Sequence, residues 1–172
     1  MGSHGHDGIA GALGSVATST VVHAPCPVVV VRGERRAGPV VVGTDGSADS
    51  EQAVAFGFEE AARTGQPLQV VYCWHPQDQH ADSIESTEGL LKNWLAESLA
   101  PYWDKYPTVR AQASVIEGRA SVQLVDLSAT ASLVVVGSRG RGGVAGLLLG
   151  SVSQSLLHHA DSPVAVVRRH EE

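Results

Sequence analysis

Valine-rich runs of four to six residues recur along this chain, and between them lie longer segments with helical spacing. "PVVVGT" at 39–44, "SLVVVG" at 132–137 and "PVAVVR" at 163–168 are continuously apolar rather than alternating. A run with no polar face belongs to a strand covered on both sides, which is the state of strands in a helix-covered parallel sheet. "PLQVVYCW" at 67–74 reads as a further strand. "VRAQASVIEG" at 109–118 alternates, as a half-exposed strand at a sheet edge would. Helices are expected between them. One runs from about Asp49, with Ala53, Val54, Gly57, Phe58 and Ala61 on one face and Gly65 as its stop. A second spans about Ser83 to Tyr106, with Leu91, Trp94, Leu95, Leu99 and Tyr102 in one stripe. Shorter ones cover about 120–129 and 151–159. Strands that alternate with helices imply parallel pairing, and hence an open α/β sheet with helices on both faces.

The chain also repeats itself. "GSRGRGGVAGLLLGSVSQSLLHHADSPVAVVRR", from Gly137 to Arg169, has an earlier copy in "GSHGHDGIAGALGSVATSTVVHAPCPVVVVR", from Gly2 to Arg32. Gly2 aligns with Gly137, Gly5 with Gly140 and Gly8 with Gly143. After one skipped residue, Gly14 aligns with Gly150, Ser15 with Ser151, Pro27 with Pro163 and Arg32 with Arg168. More than half of the aligned positions are identical, and the order of glycine loop, helix and valine strand is kept. The early copy predicts a helix at about 15–23 and a strand at 28–32, too little to form a domain alone. That strand needs an edge to pair with, and the edge of 163–167, within the chain or across a dimer, is the expected one. "RGERRAG" at 32–38 reads as a linker.

Composition narrows the function. Among 172 residues, 43% are hydrophobic and 17% charged, enough for a core, and the net charge is −6. An acidic chain has no general attraction to nucleic acid or to an anionic membrane. The apolar runs are far too short to cross a bilayer as helices. Cys26 and Cys73 have no metal-type spacing, and two cysteines without a disulfide framework suit a reducing cytoplasm. The histidines His4, His6, His23, His75, His80, His158 and His159 form no dedicated metal spacing. The sequence contains no nucleophile elbow, zincin motif or plausible triad, so no catalytic residue is assigned.

Ligands of open α/β sheets sit beyond the carboxyl ends of the strands. Two segments end there with chemistry-capable residues, "VVVGTDGS" and "VVVGSRGRGG". In the second, Gly137, Gly140 and Gly150 flank a loop that leads into a helix opened by Ser151. Glycines let backbone N–H groups approach a phosphate, and a helix start adds free donors and a favourable dipole. Arg139 and Arg141 add positive charge. The same glycines also suit a tight strand-to-helix connection, and spacing alone leaves both readings open. The only lysines are Lys92 and Lys105, so this is not a Walker A loop. Asp45 ends the first strand of the larger segment. It is placed to meet an adenine amino group, ribose hydroxyls or a metal, or to serve as a turn aspartate.

These residues together resemble the universal stress protein family. "VVVGTDGSADSEQAVAFGFEEA" and the passage from Leu133 to Arg168 carry the resemblance, with Gly-x2-Gly-x9-Gly-Ser met by Gly137, Gly140, Gly150 and Ser151. The resemblance implies a five-stranded parallel sheet of order 3-2-1-4-5 over residues 39–169, with a tail at 170–172. It implies dimers or tandem pairs joined through the last strand. It also implies binding of ATP, with Mg2+ in some cases, or of AMP or another adenine nucleotide. By that resemblance Asp45 meets adenine or ribose, Cys73 contacts adenine, and Val136 and Gly137 lie beside the nucleotide. Arg139, Gly140, Gly150, Ser151 and Val152 hold ribose and phosphates. Residues 1–32 then resemble the end of a first domain of a tandem protein, with residues 33–38 as linker. The function implied is a nucleotide-binding regulator of the stress response. A dimerising module without nucleotide and a weak ATPase are the alternatives.

Overall fold

A computed structural model describes residues 15–31, 37–75, 84–141 and 148–169 of the chain. The early glycine loop, most of the linker, the 76–83 loop, residues 142–147 of the second glycine loop and the tail lie outside them. Eleven elements follow in chain order: α1 (Ser15–His23), β1 (Val28–Val30), β2 (Val40–Thr44), α2 (Ala48–Thr64), β3 (Leu68–Trp74), α3 (Ile84–Lys105), β4 (Ala111–Glu117), α4 (Ala120–Ser128), β5 (Leu133–Gly137), α5 (Ser151–His159) and β6 (Val164–Val167).

Five strands run parallel in the order β4-β3-β2-β5-β6, which is the order 3-2-1-4-5 of the larger segment. The apolar runs account for the centre. Val40, Val42, Val70 and Val135 point to one face, under α2 and α3 with Phe58, Leu95 and Leu99. Val41, Val71, Val134, Val136, Val164 and Val166 point to the other, under Leu124 of α4 and Leu156 and Leu157 of α5. Alternating β4 stands at the edge and is largely half-buried, as its pattern predicts. The stop at Gly65 is of the left-handed kind: its φ is 70°, and its N–H donates to the Ala61 carbonyl at 2.9 Å. Gly57, on the buried face of α2, lets the helix lie directly on Val42.

The sheet has a sixth strand. β1 pairs antiparallel with β6 within the chain, so the sheet is one strand wider than the five expected. Val28 faces Val166, Val29 faces Ala165 and Val30 faces Val164. In the repeat alignment Val29 is itself the counterpart of Ala165, and Val28 and Val30 are the counterparts of Val164 and Val166. The two copies therefore meet about a local two-fold through the Val29–Ala165 pair, as an isologous dimer contact would. α1 joins the same core, with Val21 and Val22 only 3% and 6% exposed. A dimer through the edge of the last strand was expected from the resemblance. In this structure that edge is already held by β1.

Candidate functional site

The site begins where the chain order reverses. β2 has β3 on one side and β5 on the other, so the connections after β2 and β5 diverge and open a crevice at the strands' carboxyl ends. A cavity of about 410 Å³ fills it. All nine residues singled out from the sequence line it: Asp45, Cys73, Val136, Gly137, Arg139, Gly140, Gly150, Ser151 and Val152. Val71, Ala120, Leu124 and Leu149 add apolar wall, and Thr44, Ser50 and Arg141 add polar wall. Reasoning from sequence missed Ala120 and Leu124, because α4 carries no motif. Only the sheet order reveals that this helix roofs the crevice.

The turn after β2 is fixed by its own hydroxyls. Ser47 caps α2 and accepts from the Ser50 N–H at 3.4 Å, while Ser50 Oγ donates to the Ser47 carbonyl at 2.9 Å. Gly46 is left-handed, with φ 73°, and a side chain there would strike Trp94. Asp45 is both a turn aspartate and a link across the crevice. Its Oδ1 accepts the Ser47 N–H at 3.0 Å, and its Oδ2 accepts the Arg141 N–H at 2.7 Å. Burial pushes its pKa up, but hydrogen bonds from Ser47, from the Arg141 and Ser47 backbone and from Ser50 outweigh this and hold the carboxyl below its ordinary value.

The three motif glycines have different physical reasons. A Cβ on Gly137 would lie 2.9 Å from the Asp49 carbonyl carbon, and one on Gly140 would lie 2.5 Å from Asp45 Oδ2. Gly137 is required by its close approach to the α2 backbone, and Gly140 makes room for the Asp45 carboxylate. Gly150 is different. It caps α5 at φ −73° and ψ 161°, extended backbone open to any residue, and an added Cβ would meet its nearest neighbours at an ordinary 3.5 Å. A side chain there, at the cap of α5, would lie against the backbone of Ser138, Arg139 and Gly140, and the helix turn it caps borders the cavity.

Behind this end, the Ser138 carbonyl accepts from the Gly150 N–H at 2.8 Å and from Ser153 Oγ at 3.2 Å, which ties the helix start to the end of β5. At the apolar end, burial pushes the Cys73 thiol up to about 11, so it stays a neutral wall group at neutral pH. Among the described residues, no group of three or more His, Cys, Asp or Glu side chains is arranged to hold a metal. No helix among them is long and apolar enough to cross a membrane.

Comparison with known proteins agrees with this geometry. The model of the universal stress protein family matches residues 1–32 and again 37–168. Universal stress protein Rv2005c of Mycobacterium tuberculosis is 41% identical over 179 residues, covering 98% of this chain and 61% of its own length. The chain thus spans somewhat over half of the curated relatives it matches. A universal stress protein whose crystal structure is a complex with cAMP is 28% identical, with a TM-score of 0.58 over 76% of this chain and 96% of its own. Protein PA1789 of Pseudomonas aeruginosa shares the fold at a TM-score of 0.66 and 19% identity, over 92% of this chain and 57% of its own. A cavity at the reversal of strand order, a loop spaced Gly-x2-Gly-x9-Gly-Ser and a family match over nearly all residues converge on one conclusion: the chain belongs to the universal stress protein family.

Proposed function

We propose that the cavity holds an adenine nucleotide and that the chain is a nucleotide-binding regulatory protein of the stress response. The observation that carries this reading is Gly150. Among the described residues, packing gives no reason for glycine there, whereas a phosphate approaching the N–H groups of α5 gives one. The apolar wall of Val71, Cys73, Leu124 and Val136 suits a base. Asp45, a charged acceptor on the cavity wall, suits ribose or an adenine amino group. Arg139, Arg141, Ser151 and Val152 surround the place for phosphate. The ligand implied by the resemblance is ATP, whose Mg2+ would ride largely on its own phosphates and waters. The cAMP bound by a 28%-identical neighbour supports the adenine class more broadly.

The output of such a site is a change of shape or association. Asp45 is the one carboxylate among the described lining residues, and a carboxyl held below its ordinary value is a weak general base. We read the chain as cytoplasmic, and residues 1–32 as the close of a first domain whose helix and strand now serve the shared core. With β6 covered, a homodimer would use the outer edge of β1.

The test is to denature the purified protein and search the supernatant for released nucleotide by mass spectrometry, with a thermal-shift titration of ATP, AMP and cAMP beside it. Bound nucleotide, or a rise in Tm that grows with ligand concentration, is expected. No released nucleotide and no shift with any of the three would overturn the reading.

A further inference from the structure

Asp49 stands behind the cavity wall and not on it. It belongs to the first turn of α2 and is 9% exposed. Gly137 lets it come close: a Cβ on that glycine would lie 3.1 Å from the Asp49 Cβ. A buried carboxylate is costly unless strong hydrogen bonds hold it. Its Oδ2 accepts one at 2.8 Å from Ser138 Oγ, and Ser138 is fully buried. A hydroxyl that donates to a charged acceptor makes a strong bond. The same oxygen stands 3.9 Å from Arg139 Nε, but that side chain is 55% exposed, so solvent screens the pair.

Ser138 is tied on several sides. Its N–H donates to the Val167 carbonyl at 2.8 Å, and its carbonyl accepts from the Gly150 N–H at 2.8 Å. The Ser153 hydroxyl lies 3.2 Å from that carbonyl and 2.9 Å from the Gly150 carbonyl. Ser138 therefore joins the end of β5 to β6 and to the start of α5, and Asp49 joins all three to α2.

The two helix starts beside the cavity are closed differently. α2 has its own cap in Ser47, whose Oγ accepts the Ser50 N–H. α5 begins at Gly150, and no side chain caps it. A side-chain cap steadies a helix start but takes up one of its free N–H donors. The Ser138 carbonyl instead holds α5 from outside, at the Gly150 N–H ahead of the first turn, and draws on none of the first-turn N–H groups. That turn, Ser151 to Ser153, lines the cavity.

We propose that Asp49 is a positioning residue of this site: acting through Ser138, it fixes the start of α5 against the cavity and leaves that turn's N–H groups to a phosphate. The ligand half of the proposal rests on the nucleotide reading above, and the anchoring of α5 does not. What matters at position 49 is the acceptor for Ser138, so asparagine can replace aspartate and alanine cannot.

The test uses the full chain with Asp49→Ala, which deletes the acceptor, and Asp49→Asn, which keeps an oxygen for Ser138. Amide exchange followed by NMR reads the anchor without any ligand. In Asp49→Ala the Gly150 and Gln154 amides are expected to exchange about tenfold faster relative to the amides of β2, and in Asp49→Asn to stay within about twofold of wild type. Calorimetric titration reads the consequence. Asp49→Ala is expected to weaken ATP with Mg2+ about fivefold and to leave adenosine, which has no phosphate, unchanged, while Asp49→Asn restores ATP. Equal acceleration of the α5 and β2 amides, or equal weakening of both ligands, would make Asp49 a packing residue and overturn the proposal. So would an Asn variant as impaired as the Ala variant. If Asp49→Ala fails to fold, Ser138→Ala breaks the same bond from the other side and is judged by the same two ratios. Binding of neither ligand by the wild type would bring down the nucleotide reading and the ligand half of the proposal with it, and the exchange ratio would decide the anchor on its own.

Discussion

The two copies of the repeated passage fold into the same pieces and meet different neighbours. α5 and β6 lie inside the doubly covered sheet, with β6 between β5 and β1 and all four of its residues buried. α1 and β1 stand at the rim. Val29 is 44% exposed and Val31 72%, while their counterparts Ala165 and Val167 are at 0% and 3%. The difference lies in the context and not in the copy: β6 has a strand on each side and α2 across its face, and β1, among the described residues, has β6 on one side and α1 on one face. The same holds for chemistry. The loop that follows β5 is met by Asp45 from the turn after β2.

The sharpest way to break this comparison is to place the same charge at counterpart positions. Val167→Lys buries an ammonium between β5 and α2 and is expected to cost at least about 3 kcal/mol, or to prevent folding. Val31→Lys leaves its charge in water and is expected to stay within about 0.5 kcal/mol of wild type. Urea denaturation measures both. A large loss from Val31→Lys would mean that the outer edge of β1 is covered, and a change in sedimentation would identify a second copy as the cover.

Much of this was legible in the sequence, for reasons that differ by element. Runs such as "VVVGT" could only be central strands, because no residue in them tolerates water on either face. The residues that line the cavity were named partly from strand ends, where topology gathers side chains, and partly from the family resemblance. The partner of β1 was legible as an edge, but not as a choice between chains: "VVVVR" specifies a strand with an unmet ladder, and only the fold shows β6 within reach. Asp49 was not legible as a buried acid. In sequence it is one of two acids in the first turn of α2, where a carboxylate normally faces solvent and the helix dipole. Its burial follows from the close approach that Gly137 permits. Nor could spacing separate packing glycines from a ligand glycine, since all three have the same letter.

That last distinction gives an effect of middle size. Gly137→Ala is expected to cost about 1–3 kcal/mol through overpacking against Asp49. Gly150→Ala is expected to leave stability within about 0.5 kcal/mol while weakening nucleotide by about tenfold or more, as the added methyl crowds the α5 donors. Gly14→Ala, at the counterpart position of the early copy, is expected to leave nucleotide affinity unchanged. Thermal melts and ligand titration separate the three. If Gly14→Ala weakened binding as Gly150→Ala does, the two copies would have to share the phosphate, and the division between an inherited and a working loop would collapse.

The smallest effect concerns the aspartate that meets the loop after β5. Hydrogen bonds from Ser47 and from the Arg141 backbone hold Asp45 below the ordinary aspartate value of 3.8, against the upward push of burial. A lowered pKa in the folded state means that the charged form is bound more tightly there than in the unfolded chain. Its contribution to stability is therefore complete above that ordinary value and is lost as pH falls through the lowered one. Asp45→Asn has no charge to titrate. The stability gap between wild type and variant should hold steady from pH 7 down to about pH 5, then narrow and close as the wild-type carboxyl takes up its proton. Urea midpoints measured across that range decide it. A gap that stays constant to pH 2 would show that the carboxylate's charge is not what the Arg141 N–H and the Ser47 turn are holding, and the link across the crevice would then rest on neutral hydrogen bonding alone.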